Sequence, residues 1–216
     1  MRRTFIIIML ALGFANAALA QEGKTKETVE AIRKHYTELK QVTDRMVAAY
    51  SDKGVDVDGP IEDYYDEPPA YFETIVRQNL PATGPHKETF RFFYYEYEDY
   101  EAEGGPEFWR KIHLATVAYN FAAHKYYEEY LFDEEGELMF IYARTCDTNM
   151  YEQVDFRFYF DKGKLIHSII QGRDREDEAF QPIPMQERFK PYVEQYTRYA
   201  QTVKDLYDAI DTAEHF

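Results

Sequence analysis

Between residues 24 and 51 the apolar positions Val29, Ile32, Tyr36, Leu39, Val42, Met46, Val47 and Tyr50 recur at steps of three and four. That spacing puts them on one stripe of a long amphipathic helix, with Gly54 as its stop. Near the other end Phe189, Tyr192, Val193, Tyr196, Tyr199, Ala200, Val203, Leu206, Tyr207 and Ile210 repeat the pattern, and Pro191 stands where a first helical turn tolerates proline. Between the two helices the period falls to two, and aromatic and β-branched residues gather in runs bounded by Gly, Pro, Asn and Asp. These runs predict strands over 71–77, 88–97, 109–119, 125–132, 138–144, 154–160 and 165–171. In the sixth, Val154, Phe156, Phe158 and Phe160 alternate with Asp155, Arg157 and Tyr159, which gives one apolar face and one wetter face.

A short internal repeat adds topology. Phe132-Asp133-Glu134-Glu135-Gly136-Glu137-Leu138 and Phe160-Asp161-Lys162-Gly163-Lys164-Leu165 share the pattern F-D-turn-G-x-L. Each reads as a β-hairpin, with Gly136 and Gly163 supplying a positive φ and each Asp bonding its own turn backbone. Hairpins adjacent in sequence pair in space. The predicted fold is α+β: a long N-terminal helix, an antiparallel β-meander of about seven strands forming a curved sheet, and a long C-terminal helix packing on the sheet. With no Ser/Gly/Pro-rich linker, residues 21–216 read as one domain.

The first twenty residues carry a different pattern. Arg2 and Arg3 precede an apolar run from Phe5 to Phe14, and Ala18-Leu19-Ala20 offers small residues where a signal peptidase reads them. A cleaved signal peptide is expected, with the mature chain starting at Gln21 in a periplasmic or extracellular compartment. The apolar run is short of the roughly 20 residues a spanning helix needs, and the mature chain is expected to carry no transmembrane segment. Losing Arg2 and Arg3 would take the net charge from -15 to -17. Such a balance disfavours nucleic acid as a partner, because a polyanion rewards clustered Lys and Arg. The 20 Tyr and 16 Phe supply ample material for a packed core.

Motifs with chemistry are scarce. The stretch Asp52 to Gly59 alternates Asp as a calcium loop does, but Gly54 stands at the first ligand position and Tyr65 where a bidentate Glu belongs. It reads as a solvated acidic loop. None of the six histidines, His35, His86, His113, His124, His167 and His215, forms a recognised zinc pair, although His124 and Glu128 share a strand face at period two. A lone Cys146 beside Asp147 lacks the electropositive surroundings of a reactive thiol. No G-x-S-x-G elbow, P-loop or dinucleotide fingerprint is present. Neither a cofactor nor a metal site is therefore expected.

The aromatics are the one unusual resource. In Phe92-Phe93-Tyr94-Tyr95-Glu96-Tyr97 large rings fall on both faces of the strand, so either a helix covers the second face or some rings line a groove. Tyr95, Tyr97 and Trp109 are the candidate ligand contacts, for a small molecule, glycan, lipid or protein partner. The architecture resembles that of periplasmic lipid carriers and of small cup-shaped ligand-binding folds, with no functional residue to carry across. The expected function is that of an exported, non-enzymatic binding or interaction protein. Two alternatives stand beside it. One is a glycan-directed hydrolase built on carboxylates such as Glu128 and Glu129 or Glu96 and Glu98; the other is a structural or assembly subunit.

Overall fold

Each period-two segment pairs with its immediate neighbours in the chain. The computed structural model describes residues 2–53, 69–101, 105, 107–122, 124–147 and 151–214, with side chains in the first helix from 23 to 49. The strands are β1 (Ala70–Leu80), β2 (Gly84–Asp99), β3 (Glu107–Phe121), β4 (His124–Phe132), β5 (Leu138–Asp147), β6 (Tyr151–Asp161), β7 (Lys164–Arg173) and β8 (Gln181–Ile183). They form one antiparallel sheet in sequence order. Helix α1 (Arg2–Lys53) precedes the sheet, and α2 (Lys190–Glu214) follows it after a 3-10 turn at Glu187–Phe189. This is the predicted α+β meander with one strand more. The eighth strand is three residues long and contains Pro182, too short to show any periodicity; it pairs Ile183 with Ile170 at the sheet's edge, a position where proline costs no ladder bond.

The F-D-turn-G-x-L repeats are hairpins as expected. Gly136 and Gly163 hold φ of +78° and +72°. Asp133 Oδ1 accepts from the Glu135 and Glu137 amides at 3.0 and 2.8 Å. The segment 54–68, including most of the acidic loop, lies outside the described residues, as do the side chains of the N-terminal stretch read as a signal peptide.

Both sheet faces are covered, one by each helix. On the α2 face, Phe92, Ala115, Tyr130, Ile141 and Phe158 stand in one cross-strand row. They join Tyr196, Ala200, Val203 and Tyr207 of α2 in one core. On the α1 face the row Phe93, Leu114, Leu131, Phe140 and Tyr159 meets Val29, Ile32 and Leu39. The rings on both faces of β2 are thus largely explained by two cores rather than one. Each such side chain withdrawn from water contributes roughly 1.5–3 kcal/mol.

One irregularity lies on β3. Phe93 pairs with Leu114 and Tyr94 with Ile112, so His113 is an extra residue in the ladder. Bulges of this kind re-aim a side chain: His113 turns toward Tyr95 and Tyr97, whose contacts with it are described below.

Candidate functional site

The α1 face changes character along its strands. One step from the apolar row lies Arg91, Thr116, Glu129, Tyr142, Arg157 and Ile169, and the next row is Thr89, Ala118, Tyr127, Arg144, Asp155 and Gln171. Beyond that, Asn120 pairs with Lys125 and Gln153 with Arg173. Small side chains at Thr89 and Ala118 leave depth in the middle, while long cationic side chains rise at the sides. The result is a groove of about 700 Å³, within the size range of ligand sites. Its charged lining is four cations, Lys87, Lys125, Arg144 and Arg173, against two carboxylates, Glu152 and Glu176. That is a local reversal of sign in a chain of net charge -15.

The arginines are held in differing ways. Arg144 grips Asp155 through two bonds of 2.9 Å, and Tyr142 adds a third to the same carboxylate. Arg173 instead meets a neutral amide, bonding Gln153 Oε1 through Nε and the second terminal nitrogen. Arg157 likewise bonds Gln171 Oε1 at 2.9 Å. Neither has an ion pair among the described residues. The Phe180 ring lies 4.8 Å from the Arg173 guanidinium and 5.8 Å from that of Arg144, fixing both by cation–π contact. Arg33 and Arg157 line a neighbouring hollow of about 420 Å³ beside α1, with Tyr36, Tyr159 and Gln171. Two half-buried guanidiniums with neutral partners retain charge that an incoming carboxylate or phosphate can neutralise, and their fork geometry suits both.

Cys146 and His124 also line the groove. Burial, and then the charge of Glu152, raises the thiol above its ordinary pKa, which keeps it protonated and a poor nucleophile. His124 and Glu128 share their strand face, but His124 is exposed and Glu128 is buried. Among the described residues no group of three His, Cys, Asp or Glu is placed to hold a metal ion.

The Glu128–Glu129 pair is split by the alternation of the strand. Glu128 sits on the α2 face in the row Phe90, Val117, Glu128, Ala143, Phe156 and Ile170. It is 2% exposed and accepts from Tyr119 at 3.0 Å and from Tyr130. Burial pushes its pKa up to about 7, Glu88 adds to the rise, and the tyrosine hydrogen bonds oppose it. Glu129 faces α1, accepting from Tyr36 and Tyr127 and pairing with Lys40 Nζ at 3.3 Å. The two carboxyl groups are on opposite sides of the sheet and cannot flank one glycosidic bond. Glu96 is bound by Arg110 at 2.8 Å and Glu98 by Tyr100 at 2.6 Å, both on the exposed rim.

Tyr95, Tyr97 and Trp109 are brought together around His113, at the other end of β2 and β3 from the groove. Tyr97 and Trp109 are cross-strand partners whose rings stack at 5.9 Å and 8°. Tyr95 meets His113 edge-on at 4.8 Å, and Tyr97 Oη lies 3.2 Å from His113 Nε2. His113 is 5% exposed, and its Nδ1 has no hydrogen-bond partner among the described residues; burial, the first cause, lowers its pKa. No protein-family model, curated protein or solved structure matches this chain, so the reading of its sites rests on their own geometry.

Proposed function

We propose that the chain is an extracytoplasmic, non-enzymatic binding protein that takes a small anionic ligand in the groove between Lys87, Lys125, Arg144 and Arg173. The observation that carries this reading is the concentration of cationic side chains, Arg173 among them without a counter-carboxylate among the described residues, where small floor residues open a cavity. An acidic chain repels polyanions at long range but admits a small anion to a recessed basic site. Export is supported by the N-terminal pattern of Arg2, Arg3 and the apolar run to Phe14.

Calorimetric titration with citrate, inorganic phosphate and a sulfated disaccharide, with glucose as the neutral control, tests the proposal. At least one anion is expected to bind with an affinity that falls as salt rises. Arg173→Gln should weaken that anion about tenfold or more, the scale of a lost charge-assisted hydrogen bond. Equal binding by wild type and Arg173→Gln, or binding of glucose alone, would overturn the assignment.

A further inference from the structure

We propose that the hollow of about 420 Å³ beside α1 is a second binding site, for an aromatic carboxylate. It stands independently of the groove, with which it shares no lining residue among the described ones. Arg33 and Tyr36, one helical turn apart, reach it from a single face of α1. Phe140, Arg157, Tyr159 and Ile169 rise to meet them from β5, β6 and β7, all on the α1 face of the sheet. Its volume falls in the range of small-molecule sites.

The charge of the hollow selects an anion. Among the described residues no carboxylate lines it, in a chain with 40 acidic residues against 25 basic ones. Arg33 Nε donates to the Tyr159 hydroxyl at 3.0 Å, and its guanidinium lies 5.3 Å from the centre of that ring. Arg157 gives one terminal nitrogen to Gln171 at 2.9 Å and lies 5.4 Å from the Tyr142 ring. Both guanidiniums thus have neutral partners, and each has N–H donors to spare after such a bond. Two like charges converging on one hollow from a helix and a strand repel each other. A carboxylate between them removes that repulsion and meets their planar forks. The floor then selects the body of the ligand. The Tyr36, Phe140 and Tyr159 rings stand in succession, with centres 4.7 and 5.0 Å apart. The hydroxyls of Tyr36 and Tyr159 are already engaged, by Glu129 and by Arg33, so these residues offer a ligand their rings. Ile169, half-buried, adds an aliphatic wall. A flat ring bearing a carboxylate satisfies both halves of the hollow. A bare phosphate leaves the rings in water, and a neutral arene leaves the guanidiniums uncompensated.

Isothermal titration of the full chain with 2-naphthoate tests the site, with acetate as the anion lacking a ring and 2-naphthalenemethanol as the ring lacking a charge. Naphthoate is expected to bind saturably, at least about tenfold more tightly than either control. Arg33→Gln and Arg157→Gln should each weaken it about threefold to tenfold, the effect of losing a charge-assisted hydrogen bond. Ile169→Ala, which leaves the charge unaltered, should weaken it about threefold through lost apolar contact. Arg173→Gln, a change in the groove, should leave naphthoate binding as it is in wild type. Circular dichroism on each variant verifies the fold. The absence of saturable naphthoate binding, or equal binding by wild type and both hollow arginine variants, would overturn the proposal. Acetate or the neutral alcohol binding as tightly as naphthoate would show that the hollow does not join the two chemistries, and overturn it too. A loss on Arg173→Gln with none on Arg33→Gln would place naphthoate in the groove, which overturns the second site while supporting the first.

Discussion

Glu128 and Glu129 are neighbours on β4 and both buried, yet each carboxylate is received by two tyrosine hydroxyls on a different side of the sheet. The difference between them is the cation. Lys40 reaches Glu129 from α1, whereas Glu128 lies in a row otherwise made of Phe90, Val117, Ala143, Phe156 and Ile170. Tyrosine donors offset only part of the cost of removing a charge from water, which is why Glu128 titrates near neutrality.

The consequence is a pH-dependent stability of defined sign. In the unfolded chain a glutamate titrates at 4.5, and in the fold Glu128 titrates at about 7. Between those values the folded state retains a proton that the unfolded state releases. Its stabilising contribution is therefore complete below pH 4.5 and lost above about 7, a swing on the order of 3 kcal/mol. Glu128→Gln should remove this dependence, so the unfolding free energy of the variant minus that of wild type should rise between pH 4.5 and 7.5. Parallel curves across that window in urea titrations would contradict the burial of an uncompensated acid. Taking the difference matters, because His113, with its lowered pKa, loses stability in the opposite direction on acidification below 6.5.

Gly136→Val is expected to destabilise the β4–β5 hairpin by about 1–3 kcal/mol, since a β-branched residue cannot adopt a φ of +78° cheaply. A Cβ there would also come within 3.1 Å of the Lys204 side chain. Glu135→Val, one residue earlier and exposed, meets neither obstacle and should leave the denaturation midpoint nearly unchanged. Equal midpoints for the two variants would be inconsistent with this turn.

Tyr97→Phe keeps the stack on Trp109 but removes the one hydrogen bond that the His113 ring makes among the described residues, where its Nδ1 has no partner. Leaving a buried imidazole wholly unpaired should cost about 1–3 kcal/mol. In a His113→Ala background the same change should cost much less, and a double-mutant cycle by chemical denaturation measures the difference. A coupling of zero would mean that the hydroxyl and the ring do not interact in solution.

The helices, seven of the strands and both glycine hairpins were legible because each announces itself within a window of ten or so residues. Phe156 and Phe158 alternating with Asp155 and Arg157 fix the faces of β6 without reference to any other strand. The groove had no such signal. Lys87, Ala118, Lys125, Arg144 and Arg173 come from five strands, and each alone is an ordinary polar or small position. Only the register, set by turns and by the bulge at His113, aligns them. Tyr95, Tyr97 and Trp109 stand out in the sequence by ring type alone, and the reason they converge on His113, an extra residue in β3, leaves no trace in periodicity. The burial of Glu128 was equally hidden, since an acid at an apolar period reads as one substitution in a stripe.

The meander order also governs when the molecule becomes whole. Every strand pairs with the one made just before it, so the sheet can grow by closing short loops, a kinetically cheap route for β-structure. Its two faces mature at different times. The α1 stripe is in place before the first strand exists, whereas the face bearing Phe92, Tyr130 and Phe156 waits for α2, the last element. A chain that folds as it is synthesised, N-terminus first, therefore passes through a stage in which eight paired strands present one uncovered aromatic surface. Aggregation should be most acute at that stage, and C-terminal truncations that remove Tyr196, Ala200, Val203 and Tyr207 would hold the molecule there.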